Sequence, residues 1–344
     1  MAAQPAVVAV IGTGSIGGAH LRALSAVASA RAVAVPVRRE RLAELTRQGV
    51  PAAANVREAA RQGATLGIIA SDTGRHIADG LAALNAGLDL LVEKPLARDA
   101  QEAGALLRRA GELGRRLYVG CTLRFSDSLR TFREALPRLG RVHAVRIESQ
   151  SYLPDWRPAR AYRDSYSARA AEGGVLRDLI HEIDYAGWLF GWPAAVQASL
   201  RNLGRLGIEA EEIAELSWET PSGCLVSVCL DYLSRPRRRR MRAAGAEGAL
   251  EWDGVAGTVT LEGLAGAADV TRTPQTRDQM LLAQDLEFLQ ACAGGADDEL
   301  ATGEDGVRAL AVCDTARQAS ATGQEARVAY EGAMDVPRLA RAAA

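Results

Sequence analysis

Ala6-Val7-Val8-Ala9-Val10-Ile11 runs straight into Gly12-Thr13-Gly14-Ser15-Ile16-Gly17, and this junction decides how the chain folds. The apolar, β-branched run has the pattern of a strand buried on both faces. Ala19–Ala28 then reads as a helix. A strand before and a helix after give G-x-G-x-x-G its meaning. The first glycine allows a tight turn, the second admits a pyrophosphate close to the backbone, and the third lets helix and strand pack. The helix start offers unpaired N–H groups to the anion. All six loop residues, Gly12, Thr13, Gly14, Ser15, Ile16 and Gly17, are therefore candidate cofactor contacts. A glycine turn that holds nothing is the plain alternative.

The alternation continues along the chain. Ala32–Val35, Thr65–Ala70, Leu88–Val92 and Leu117–Cys121 read as strands. Glu40–Gln48, Arg75–Ala86 and Ala100–Leu113 read as helices between them. This order predicts an α/β fold with a doubly wound parallel sheet. Ligands of such sheets sit beyond the carboxyl ends of the strands. Ser71, Thr73 and His76 follow one strand end, and Glu93-Lys94-Pro95 follows the next. Lys94 is the only lysine in a chain with 41 Lys+Arg. A guanidinium is a fixed fork that keeps its proton, whereas an ammonium is a compact charge with a tunable pKa. A lone lysine at a ligand-bearing sheet edge is thus a candidate for chemistry that arginine cannot perform.

After about residue 123 the texture changes. Arg141–Ser149, Glu215–Glu219, Cys224–Tyr232, Arg237–Ala243 and Thr258–Leu261 alternate with a period of two, which predicts an open, largely antiparallel sheet with one face exposed. Gln279–Cys292 and Gly306–Ala321 read as helices. The expected organisation is a dinucleotide-binding domain over 1–122 and a second α/β domain over 123–344, to which the resemblance described below assigns substrate binding and oligomerisation. At 344 residues, with 48% hydrophobic and 24% charged side chains, the chain has the composition of a soluble globular protein. A net charge of −1 gives no general attraction to nucleic acid or to an anionic membrane. The run Arg235–Arg242 lacks interleaved aromatics and reads as a solvated turn and strand edge, not a nucleic-acid site. Five scattered cysteines form no C-x-x-C pair, so neither a disulfide framework nor a metal site is expected. With no signal-like leader and no apolar run of roughly 18 residues, the expected location is the cytoplasm.

Gly173-Gly174-Val-Leu-Arg-Asp178-Leu-Ile-His181-Glu-Ile-Asp184-Tyr185 reads as one helix opening after a glycine pair. At about 100° per residue, Asp178, His181, Glu182 and Tyr185 share a polar stripe opposite Leu179, Ile180, Ile183, Ala186 and Phe190. Asp178 stands one turn before His181, where a carboxylate can orient an imidazole for proton transfer. An ordinary amphipathic helix with its polar face in water is the alternative. Of the other histidines, His20 reads as packed or capping in the first helix, His143 as a surface position, and His76 as a cofactor or substrate contact.

The glycine loop, Glu93-Lys94-Pro95, and Gly173–Asp184 with Trp188-Leu-Phe-Gly191 together resemble the Gfo/Idh/MocA oxidoreductases over nearly the whole chain. The resemblance implies a Rossmann domain and an α/β domain whose open sheet mediates assembly as a dimer or tetramer. It also implies a nicotinamide cofactor and a sugar, nucleotide-sugar or polyol substrate. Lys94 and His181 map onto the catalytic pair of the family, and the Lys94–Pro95 peptide onto a bond that is often cis. The spacing from Asp178 to His181 is three where the common pattern has four, so Asp178 as the orienting residue is the softer assignment. A nicotinamide-recycling glycoside-cleaving enzyme and a non-catalytic sugar sensor are the rival implications.

Two further expectations concern ligands. The region about 20 residues past the glycines, where an NAD site wants a carboxylate, holds Pro36 and Val37 followed by Arg38 and Arg39. Arginines suit a 2′-phosphate, so NADP(H) is expected ahead of NAD(H), which Glu40 would serve. The loop Tyr152–Ser167 carries Asp155, Trp156, Arg157, Arg160, Tyr162, Arg163 and Tyr166. Tyr162, Arg163 and Tyr166, with Arg124 after the strand at 117–121, are candidate substrate contacts beside Lys94, Asp178 and His181.

Overall fold

The computed structural model describes residues 5–158, 161–264, 266 and 268–330; Arg160 and residues 331–344 lie outside this set. β1 (Ala6–Ile11), α1 (Ser15–Ser25), β2 (Ala30–Val35), α2 (Arg39–Arg47), α3 (Val56–Arg61), β3 (Leu66–Ile69), α4 (His76–Asn85), β4 (Asp89–Glu93), α5 (Ala100–Glu112) and β5 (Leu117–Gly120) follow the expected alternation. Only α3 was not foreseen. Then come α6 (Asp127–Ala135), β6 (Val142–Gln150), α7 (Val175–Asp178), α8 (His181–Phe190), β7 (Ala195–Arg201), β8 (Ile213–Glu219), β9 (Leu225–Asp231), β10 (Arg238–Gly245), β11 (Gly248–Asp253), β12 (Thr258–Gly263), β13 (Ala268–Arg272), α9 (Arg277–Cys292) and α10 (Gly303–Thr322).

The first sheet runs Ala301–Thr302, β5, β4, β3, β1, β2. Its five long strands are mutually parallel, and Ala301–Thr302 adds an antiparallel edge to β5. Val8, Val10, Ile68, Ile69, Leu90 and Val92 are fully buried, as strands covered on both faces require. Strand order reverses between β1 and β3, and at such a switch point the flanking loops leave a crevice beyond the strand ends. The second sheet runs β13, β12, β11, β10, β6, β9, β8, β7 and Ala326–Arg327. Its one parallel pair is β6 with β9. In β8, Ala214, Leu216 and Trp218 are buried while Glu215, Ser217 and Glu219 are exposed, the alternation of a sheet covered on one side.

The described residues form two compact units, 5–122 with Thr276–Val307, and Leu123–Gln275 with Arg308–Tyr330. α9, expected with the rest of the chain after residue 122 in the second domain, belongs with the first unit. The cause is side-chain chemistry: α9 buries Leu281, Gln284, Asp285 and Phe288. Asp285 meets His20 of α1, and Phe288 meets the Tyr118 ring edge-on at 6.1 Å.

Two other expectations change. Arg235–Arg242 is no sheet edge, because β10 lies between β11 and β6. Its outward arginines meet carboxylates on nearby strands, Arg238 with Glu148 of β6, Arg240 with Asp253 of β11 and Arg242 with Glu262 of β12, one strand further on. The helix expected from Val175 to Phe190 is broken: Leu179 has ψ 31° and ends α7. The alternative of a polar stripe in water does not hold either: Asp178, Glu182 and Tyr185 are buried and His181 is half-buried.

Candidate functional site

In the first unit the glycine loop shows which glycines the fold itself needs. Gly12 has φ +90°, and a Cβ there would lie 2.5 Å from the Ser71 nitrogen. A Cβ on Gly17 would lie 1.9 Å from the Gly12 carbonyl oxygen. These two glycines let β1, β3 and α1 close on one another. Gly14 differs, since a Cβ there would meet no atom within 4 Å. It is exposed, as is Ser15, with Thr13 and Ile16 half-buried. Gly14 is also the N-cap of α1, and no side chain caps that end. Nearby, the Ser71 hydroxyl is buried with no hydrogen-bond partner among the described residues. An uncapped helix start, open space over a glycine and an orphaned hydroxyl fit a dinucleotide pyrophosphate. Arg38 stands at the N-cap position of α2 without a side-chain cap, and Arg39 opens the helix just past β2, both exposed.

Glu93-Lys94-Pro95 leaves the carboxyl end of β4 with a cis Lys94–Pro95 peptide. Lys94 is half-buried, and its backbone N–H donates to Glu93 Oε2 at 3.3 Å. His76 is fully buried, which corrects the expectation that it touches cofactor or substrate. Its Nδ1 lies 2.9 Å from the Pro95 carbonyl and its Nε2 3.1 Å from the Ser71 carbonyl. The ring lies between the loops after β3 and β4, and in its neutral form it donates its one N–H to one of these two carbonyls. Burial lowers its pKa against the pull of those carbonyls. Thr73 is buried at the start of the short turn before α4.

Sequence reasoning missed the group that holds Glu93. His20 is fully buried, with Nδ1 2.9 Å from both carboxylate oxygens of Asp285 and Nε2 3.1 Å from Glu93 Oε1. Burial alone would lower the pKa of this imidazole, but the two carboxylates raise it to about 10. Glu93 ends below its ordinary value: burial raises it, and the hydrogen bond and charge of His20 outweigh that. Asp285 is held up by burial. The available signal was the stripe Gly17, His20, Leu24 on α1, but the partner lies 265 residues away.

In the second unit His181 is the half-buried first residue of α8. Asp178 ends α7 and accepts a hydrogen bond from the Tyr232 hydroxyl at 2.6 Å. Tyr232 is fully buried, and burial with the facing Asp178 charge pushes its pKa well up. Trp156 stands edge-on to Tyr232 at 5.4 Å. The acidic residues of α8 are neutralised within the core: Arg239 pairs with Glu182 at 2.8 Å, and Arg124 grips Asp184 with Nε at 2.9 Å and Nη2 at 2.6 Å. Arg124 is 2% exposed, so its expected role as a substrate contact gives way to a structural one. Leaving Asp184 buried without its partner would cost about 3–5 kcal/mol. Tyr162 Oη and Arg163 Nε both donate to the Leu206 carbonyl at 3.0 Å. They tie two loops together, while Tyr166 stays half-buried nearby in sequence.

Comparison with known proteins agrees with this geometry. Residues 7–121 match the oxidoreductase-family model with an NAD-binding Rossmann fold, and 129–251 match the GFO/IDH/MocA C-terminal domain. Inositol 2-dehydrogenase of Rhizobium meliloti is 30% identical over 343 residues, spanning 93% of this chain and 98% of that protein. The chain belongs to the GFO/IDH/MocA oxidoreductase family. A 1,5-anhydro-D-fructose reductase of Ensifer adhaerens is 29% identical over 268 residues, 74% of this chain and 76% of that one. A levoglucosan dehydrogenase solved with NADH shares the fold with a TM-score of 0.85 at 19% identity, covering 95% of this chain and 100% of that chain. Like its family, this oxidoreductase is an NAD(P)-dependent dehydrogenase or reductase. Among the described residues, no helix is long and apolar enough to cross a membrane.

Proposed function

We propose that this oxidoreductase moves a hydride between the nicotinamide and a carbinol or ketone carbon of a sugar, nucleotide-sugar or polyol. The observation that carries this reading is the single lysine of the chain, standing at the carboxyl end of β4 in the unit that holds the glycine cradle. When bound, the nicotinamide supplies the hydride acceptor or donor. Gly12–Gly17 and Ser71 hold its pyrophosphate, and Thr73 and Glu93 shape the neighbouring strand ends. Lys94 stabilises negative charge developing on the substrate oxygen, and His181 takes or returns the proton of that hydroxyl. Asp178, itself held by Tyr232, supports the segment leading into His181, and Tyr166 contributes to the substrate side. Replacing Lys94 or His181 by Ala is expected to cost about 100-fold or more in kcat. The assay follows nicotinamide absorbance with myo-inositol, 1,5-anhydro-D-fructose, levoglucosan and UDP-N-acetylglucosamine. Turnover near wild type in either variant removes that residue from the mechanism.

Arg38 and Arg39, exposed just past β2, support a preference for NADP(H) over NAD(H). A ratio of dissociation constants that favours NADP and collapses in Arg38→Ala bears this out; equal ratios refute it. The five cysteines are all free, which supports a reducing, cytoplasmic setting. The exposed face of the nine-stranded sheet is the surface on which a dimer or tetramer would assemble.

A further inference from the structure

We propose that His20 is a positioning residue of this oxidoreductase, a buried cation that holds the Glu93 carboxylate in place and through it fixes the backbone from which Lys94 projects. This rests on the assignment of Lys94 to catalysis made above.

The hydrogen-bond inventory limits how the ring can be protonated between its two acids. A neutral imidazole offers one N–H and one lone pair. Here both nitrogens face carboxylates, Asp285 on one side and Glu93 on the other, at 2.9 and 3.1 Å. With both acids ionised, only the doubly protonated ring satisfies both. No solvent shares the burden, because His20 and Asp285 are 0% exposed. The remaining charged or titratable groups acting on Glu93 are Lys94 and His76. His76 is kept towards its neutral form by burial.

The clamp is also sterically closed. A Cβ on Gly120 of β5 would come within 2.9 Å of Glu93 Oε1, so the carboxylate is walled in on that side. Its other oxygen accepts the Lys94 backbone N–H. Glu93 therefore has one position, set by His20 from α1, by Asp285 of α9 behind it, and by β5. Without the ring charge, two carboxylates would share an apolar site with no cation between them. One would keep a proton and the other would move away.

Two measurements test this on the full-length protein. In the first, 15N-histidine NMR of the wild type should find one imidazole with both nitrogens protonated from pH 6 to beyond pH 9. A neutral His20 ring at pH 7.5 overturns the proposal. In the second, kinetics use the panel sugar that the wild type turns over fastest. His20→Gln keeps amide donors but removes the charge, and should lower kcat roughly tenfold or more while cofactor KM moves less than about threefold. Adding Asp285→Asn to His20→Gln leaves a single carboxylate that no longer competes for a proton, and should restore most of kcat. An unchanged kcat in His20→Gln, or a double variant no better than the single one, overturns the positioning role. If His20→Gln does not fold, Glu93→Gln carries the kinetic arm with the same expected loss and the same overturning result. Failure of the catalytic reading is separate: it appears as near-wild-type turnover in Lys94→Ala, whatever the NMR finds.

Discussion

A cation buried between two carboxylates makes stability depend on pH in a definite direction. The imidazole of His20 titrates at about 10 in the folded protein against 6.5 for the ordinary side chain. A group whose pKa rises on folding stabilises fully below its unfolded pKa and loses that contribution as pH climbs through the folded one. The window here runs from about pH 6.5 to about 10. Urea midpoints should therefore fall between pH 7 and pH 9.5, and the fall should be shallower in His20→Gln. Identical slopes in the two proteins would show that the ring takes up no proton on folding. Arg124 teaches the complementary lesson. From the sequence it is an arginine just past a strand, a candidate substrate contact. In the fold it is a fully gripped partner of Asp184, because a buried carboxylate on α8 needs a cation and Arg124 lies within reach.

The elements divide the glycine loop into two kinds of glycine. Gly12 and Gly17 are required by the approach of β1, β3 and α1, whereas Gly14 faces open space. Gly14→Ala should leave the melting temperature nearly unchanged yet weaken nicotinamide dinucleotide binding by tenfold or more, since its Cβ would occupy room meant for the phosphates. Gly17→Ala should lose both, because its Cβ cannot coexist with the Gly12 carbonyl. Melting curves with and without the nicotinamide dinucleotide separate the two outcomes, and unimpaired binding in Gly14→Ala would deny the cradle its role. The broken helix at Leu179 belongs to this scale too. Periodicity gives one amphipathic helix with Asp178, His181, Glu182 and Tyr185 on its polar stripe, but the helix breaks, Glu182 meets Arg239 of β10, and only His181 of the stripe stays half-buried. Polar periodicity marks where side chains point, not whether water is there.

For the whole molecule, the open sheet face is the surface to watch. Leu225 on β9 is 61% exposed there, flanked by Ala144 of β6 and Glu219 of β8. Light scattering should give a dimer or tetramer for the wild type and a smaller species for Leu225→Asp; a monomeric wild type would refute assembly. Within each unit, what could be read in the linear chain follows one physical division. The sequence by itself determined the parallel α/β unit, the open antiparallel sheet, the glycine cradle and the place of Lys94. Those features rest on local periodicity and on backbone demands that only glycine or proline meet. Only the tertiary structure decided that α9 returns to the first unit, that His76 is a strut, that Arg124 is a core ion pair, and that His20 stands between Asp285 and Glu93. The ion pairs among these take charges out of water and join them across 60 residues for Arg124 and Asp184 and 265 for His20 and Asp285, while His76 meets backbone carbonyls that the fold brings to it from 19 residues away at Pro95 and 5 at Ser71. Burial sets that requirement, and burial is a property of the fold alone.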